Sequence, residues 1–152
     1  MRTKLLHPVE GLRTFAVVLD VGEEAITCLK SFAEDNSISG AQITAIGAFR
    51  TARLAYFDWG SKAYEPIPVD EQVEVASLIG DVAIGPDGVP SIHAHVVLGR
   101  RDGSACAGHL EKGEVRPTLE RPDSGRRRPT PPLKIATIFT AADSRACYSE
   151  VP

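Results

Sequence analysis

The 152-residue chain has no apolar run long enough to cross a bilayer, so a membrane-spanning helix is excluded. Cysteine is scarce: Cys28, Cys106 and Cys147 are far apart, odd in number and form no Cys-x-x-Cys pair. That argues against a disulfide framework and against a thiolate zinc site. Cys28 and Cys106 lie in apolar runs and are expected to be small buried residues. Positive charge is not in excess, since 17 Lys and Arg stand against 20 Asp and Glu, for a net charge of -3. The chain as a whole is therefore no polyanion binder, and DNA contact would need a local basic patch. The opening MRTKLLHPVEG is too soon broken by Pro8 to read as a signal peptide, and the cytoplasm is the expected compartment. A Walker loop, a dinucleotide fingerprint, a Ser–His–Asp set and internal repeats are all missing. The length suits one domain with a proper core.

What the chain does have is a histidine-rich segment, Ile92 to Glu120, with His93, His95 and His109. His93 and His95 are one residue apart in an apolar, β-prone run, so on a strand they share a face. The run from Ala105 to Leu110 follows a turn signal at Arg101-Asp102-Gly103 and reads as the second arm of a hairpin. With Arg101 to Gly103 as the loop and Gly103 left-handed, His95 lies opposite His109 and all three imidazoles converge. Zinc accepts three protein nitrogens and leaves a fourth position for water or substrate. Two alternatives stay open. A two-residue Asp102-Gly103 turn would send His109 to the other face, and Gly108 would be a natural host for a bulge that re-aims it. His7, before Pro8, reads as a solvated residue.

The rest of the chain reads as many short strands and one helix. Strands are expected at Thr14 to Asp20, Ala41 to Ala48, Ala52 to Trp59 and Val73 to Ala83, the last with a bulge or bend at Gly80. Tyr64 to Val69 carries two prolines and is at best an edge strand. Gly22 to Asn36 reads as a helix with Ala25, Ile26, Leu29, Phe32 and Ala33 at helical spacing and with Glu23 and Glu24 in its first turn. Gly85 to Pro90 is a loop, and Glu114 to Glu120 continues as strand. Pro122 to Pro132 is a Pro- and Arg-rich loop, with Lys134 to Ala141 as a returning strand. This pattern gives an α+β domain on a largely antiparallel sheet. Arg126, Arg127 and Arg128 are the only basic run; they lack the Arg-Gly-Arg-Pro core of an AT-hook, and a short basic run in a loop is most often solvated.

Four segments together resemble the plants-and-prokaryotes-conserved (PPC) domain: Ile46 to Gly60, Val73 to Ala83, His93 to Ser104 and Gly108 to Glu120. The His-x-His, Gly-His-Leu and Thr-Leu-Glu motifs occur in the family's order, over about Val9 to Glu120. The resemblance implies a barrel-like antiparallel sheet packed with one or two helices, a homotrimer, and a metal, zinc first, on His93, His95 and His109. Bacterial members are often labelled predicted DNA-binding proteins. The fold is similar to that of acetolactate decarboxylase and of zinc-dependent ester hydrolases, so a zinc-dependent enzyme is the alternative to a metal-binding domain of small-molecule or regulatory role. The PPC-like core is expected over residues 1–121. Residues 122–152 depart from the family, with one closing strand at most.

A metal-bound imidazole usually donates its other N–H to a carboxylate or carbonyl. Glu120, on the strand after the hairpin, is the first candidate for a carboxylate near the site, and Glu74 is the second. For each, a surface or structural role is the competing explanation. Arg50 is a candidate for meeting an anionic ligand, with an ion pair as its plainer role. No residue set defines a substrate.

Overall fold

Strand β3 (Gly40–Asp58) is the spine of the molecule, because it changes partners along its 19 residues. The computed structural model describes residues 1–9, 12–116 and 136–142. The other elements are β1 (Arg2–Val9), β2 (Leu12–Val18), α1 (Ala25–Asp35), β4 (Ala63–Val69), β5 (Val73–Ile84), β6 (Pro90–Gly99), β7 (Ala105–Val115) and β8 (Ala136–Ala142). Near its start β3 lies between β8 and β5; farther on it lies between β7 and β4. Since β5 pairs β6 and β6 pairs β7, the strands β3, β5, β6 and β7 close a ring. Every pairing is antiparallel, so the α+β, barrel-like expectation holds.

Ala41 to Ala48 and Ala52 to Trp59, read separately from the sequence, are one continuous strand. Irregularities between Ala45 and Gly47 and between Phe49 and Thr51 bend it without ending it. A bulge of this kind turns a strand and lets it serve two sheets. Of the bulge or bend expected at Gly80, the bulge is not found there: the β5–β6 register shifts between Val75 and Ser77 instead. Gly80 allows close approach, since a Cβ there would sit 2.5 Å from the His93 carbonyl oxygen. The opening residues, given no element by sequence, form β1, with His7 paired to Thr14. The returning strand is present as β8, inserted between β2 and β3.

The helix starts three residues later than Gly22. Glu24 is its N-cap rather than a first-turn residue, and accepts from the N–H groups of Ile26 and Thr27. Ala25, Leu29, Phe32 and Ala33 form its buried stripe. They share one core with Phe49, Leu54, Leu78, Ala94, Val96, Leu98 and Leu110. Cys28 and Cys106 are half-buried at the edge of this core, not within it. Along β6, buried Ala94, Val96 and Leu98 alternate with exposed His93, His95 and Val97. Period-2 alternation thus turns the histidines out of the barrel.

Candidate metal centre

The hairpin between β6 and β7 decides the site. Gly103 has φ 85°, its N–H donates to the Arg100 carbonyl at 3.0 Å, and the Arg100 N–H donates to the Ser104 carbonyl at 2.7 Å. The loop is therefore the three residues Arg101 to Gly103, closed by a left-handed glycine. Asp102 braces it by accepting from the N–H and hydroxyl of Ser104. The resulting register pairs His95 with His109 and Gly108 with Val96 without a bulge between these strands. Both alternative registers are set aside.

Three imidazoles meet on the outer face. Their ring centroids lie 5.2 Å (His93–His95), 5.2 Å (His93–His109) and 5.6 Å (His95–His109) apart, close to an equilateral triangle. One ring nitrogen from each falls within 4.8 Å of the others. Zn–N bonds of about 2.0–2.1 Å in a tetrahedron set ligand nitrogens roughly 3.4 Å apart, so a metal would draw the rings together by about an ångström. His93 and His95 are exposed and can rotate, while His109 is half-buried and held. The Nδ1 atom of His109 is buried with no hydrogen-bond partner among the described residues. A cation is the kind of partner that uses such a lone pair, so the donor set fits a metal.

Electrostatics favour a neutral His109, the form a metal requires. Burial, then the neighbouring His93 and His95, holds the His109 imidazole below its ordinary value, with Glu111 pulling the other way. Carboxylates flank the triad on both sides. Asp81, on β5, stands opposite His93 with its Oδ2 3.9 Å from Nδ1. Glu111 pairs with Arg53. On the β4 side, Tyr64 lies against His109 with centroids 5.3 Å apart and also touches Phe57.

Of the carboxylates chosen from sequence, Glu74 is not beside the rings. Glu74 pairs with Gly99, four residues along β6 from His95, which is about 13 Å of strand. Glu120 lies outside the described residues, as do Arg126 to Arg128 and Cys147. Arg50 is ion-paired to Glu114 at 3.0 Å. Asp81 escaped sequence reading, although the signal was available. Pro86-Asp87-Gly88 forms the same kind of loop as Arg101-Asp102-Gly103, with Gly88 at φ 79° and the Gly85 N–H donating to the Val89 carbonyl. Centring β5 and β6 on Asp87 puts Asp81 across from His93.

The family model of the Plants and Prokaryotes Conserved domain, abbreviated PCC or PPC, matches residues 7–121. The chain belongs to this family. The PPC fold is shared by a plant- and prokaryote-conserved protein of Pyrococcus horikoshii, 33% identical, with TM-score 0.69 over 86% of this chain and 78% of that one. A protein of Archaeoglobus fulgidus described as metal-containing is 31% identical, with TM-score 0.68 over 85% and 78%. A candidate DNA-binding protein from Ralstonia eutropha is 25% identical, with TM-score 0.67 over 86% and 78%. No curated protein matches the chain. Among the described residues, no helix is long and apolar enough to cross a membrane.

Proposed function

We propose that this PPC-domain protein binds one divalent transition metal, zinc first, on His93, His95 and His109, and serves a small-molecule or regulatory role through it. The observation that carries this reading is the convergence of one ring nitrogen from each of the three histidines to within 4.8 Å. The metal-containing description of the Archaeoglobus relative supports it. An all-imidazole set suits zinc, and a three-nitrogen site leaves room for a fourth ligand. A bound zinc would act as a Lewis acid and lower the pKa of a coordinated water toward about 7. The chain's own part is to hold His109 neutral and fixed and to place carboxylates around the cation. It also supplies Tyr64 as one wall for whatever takes the open position. A zinc-dependent decarboxylase or ester hydrolase uses the same chemistry and is the alternative.

DNA contact, suggested by the Ralstonia relative's description, has less behind it. Arg50, Arg53 and Arg100 are ion-paired with Glu114, Glu111 and Glu71. Further copies of this chain, as a trimer, are the proposed partners, in keeping with exposed Trp59, Ile79 and Val97 on the outer surface. The proposed compartment is the cytoplasm, and the proposed domain core is residues 1–121.

The test is metal analysis of untagged protein, loaded with Zn(II) and dialysed, beside a His93→Ala/His109→Ala variant. About one metal per chain, lost in the variant, is expected. Equal metal content in the two proteins would sink the three-histidine centre. Salt-dependent DNA binding, assayed at low ionic strength, separates the DNA reading.

A further inference from the structure

Asp81 and Gly80 form a second device at this site. On β5, Asp81 is paired directly with His93 of β6, so both side chains leave the sheet on the same face. The Asp81 Oδ2 lies 3.9 Å from the His93 Nδ1, and both side chains are more than half exposed, at 61% and 57%. Nothing buries this pair, so core packing does not account for it. The backbone beneath it, in contrast, is tightly fixed. A Cβ at Gly80 would lie 2.5 Å from the His93 carbonyl oxygen and 2.9 Å from the Ala94 Cβ. Glycine therefore lets β5 press against β6 at the point where Asp81 must reach His93. The Pro86-Asp87-Gly88 loop fixes the register from the other end, with Asp87 accepting from the Val89 N–H at 3.2 Å.

We propose that Asp81 is the positioning residue of the metal centre, turning the His93 Nδ1–H toward its carboxylate and leaving Nε2 as the nitrogen that takes the cation. The proposal rests on the three-histidine reading above. Free imidazole exchanges between two neutral tautomers, and the hydrogen bond made by one nitrogen selects the other for the metal. A small rotation of either exposed side chain brings 3.9 Å into hydrogen-bond range. Asp81 also adds a negative charge at the edge of a cluster that must accept a dication. His93 is an exposed ligand whose orientation needs such help, whereas His109 is held by burial and by Tyr64.

The experiment compares the wild type with Asp81→Ala, Asp81→Asn and Asp81→Glu. Loss of an outer-shell carboxylate costs about 10–100-fold in metal affinity. Zn(II) titration should show that loss for Asp81→Ala, a smaller one for Asp81→Asn, whose amide oxygen still accepts, and partial recovery in Asp81→Glu. Ring 15N shifts of His93, taken on metal-free protein with neutral imidazoles, give a readout a merely structural role would not move. The wild type should hold the Nδ1–H tautomer and Asp81→Ala should shift toward Nε2–H. Unchanged tautomer and unchanged affinity would overturn the role of Asp81. Absence of zinc uptake by the wild type would instead overturn the metal reading, and the tautomer measurement would still decide whether Asp81 holds His93.

Discussion

His95 stands directly across from His109 on neighbouring antiparallel strands, their rings 5.6 Å apart, because the loop that joins the strands has three residues. Deleting Ala105 from β7 keeps that loop but shortens the strand by one residue, so that His109 falls opposite buried Val96 and Leu110 opposite His95. A one-residue slip then carries His109 toward the core face and pushes buried Leu110 outward. The expected outcome is loss of Zn(II) uptake together with a lower denaturation midpoint. Gly103→Ala is the milder counterpart. It meets no atom within 4 Å but keeps φ 85°, so it should cost about 1–2 kcal/mol and retain metal uptake. Urea denaturation and zinc titration of the pair check both, and retained uptake in the deletion would contradict the register argument.

Stability of the metal-free protein should depend on pH through His109. Its imidazole is held below the ordinary value of 6.5, mainly by burial and then by His93 and His95. The unfolded chain therefore binds the proton more readily than the folded one. Above about pH 6.5 both states are neutral at this ring and stability is complete. As pH falls below that value the unfolded state is favoured, until the folded ring also protonates. Urea midpoints measured at descending pH should decline over this window. His109→Gln should flatten that decline, and zinc should deepen it because protons compete for the same nitrogens. An identical pH profile in the variant would rule out His109 as the source.

The site was largely legible in the sequence because it depends on local chemistry. The His-x-His pair needs only strand periodicity, and the His95–His109 pairing needs only the turn that Gly103 closes. Asp81 depends on a second turn of the same kind, which in the sequence looks like an undifferentiated loop. The β3 spine was harder. Gly47 and Arg50 look like a break between two strands, and only the pairing with β5, β7 and β8 shows that the backbone runs on through them. Strand β1 went unread because Pro8 and His7 interrupt its pattern; pairing with β2 carries it across an irregularity between Leu5 and His7. Proline is tolerated there because β1 is at the sheet edge.

Glu24 joins the helix to the barrel. Its carboxylate accepts from the N–H groups of Ile26 and Thr27 and the Thr27 hydroxyl, and from the Gly113 N–H of β7 at 3.0 Å. Burial pushes its pKa up, but these hydrogen bonds outweigh burial and hold it below the ordinary value of 4.5. Its stabilising contribution is present above that value and is lost as pH falls through the lower, folded one. Glu24→Ala removes a cap and strands the Gly113 donor, for a combined loss of about 2–3 kcal/mol. Denaturant unfolding at neutral pH checks the size. A change below about 0.5 kcal/mol, the level of an ordinary surface substitution, would show that the bridge is idle.

Gly113 tests how closely the barrel wall approaches its core. It pairs with Ala52 of β3, and a Cβ there would lie 2.5–2.7 Å from three atoms of the Phe49 ring. Phe49 is fully buried, so the ring cannot swing into solvent. Gly113→Ala should therefore overpack the core and destabilise by about 1–3 kcal/mol. Phe49→Leu removes ring atoms at the point of collision but leaves a void of its own. The double variant should thus be more stable than the sum of the two single losses predicts, by about 0.5 kcal/mol or more. Strict additivity in denaturation experiments would mean that the two positions do not compete for the same space. Because Gly113 is four residues from His109 on β7, any strand displacement should also appear as weaker Zn(II) uptake in Gly113→Ala, restored by Phe49→Leu.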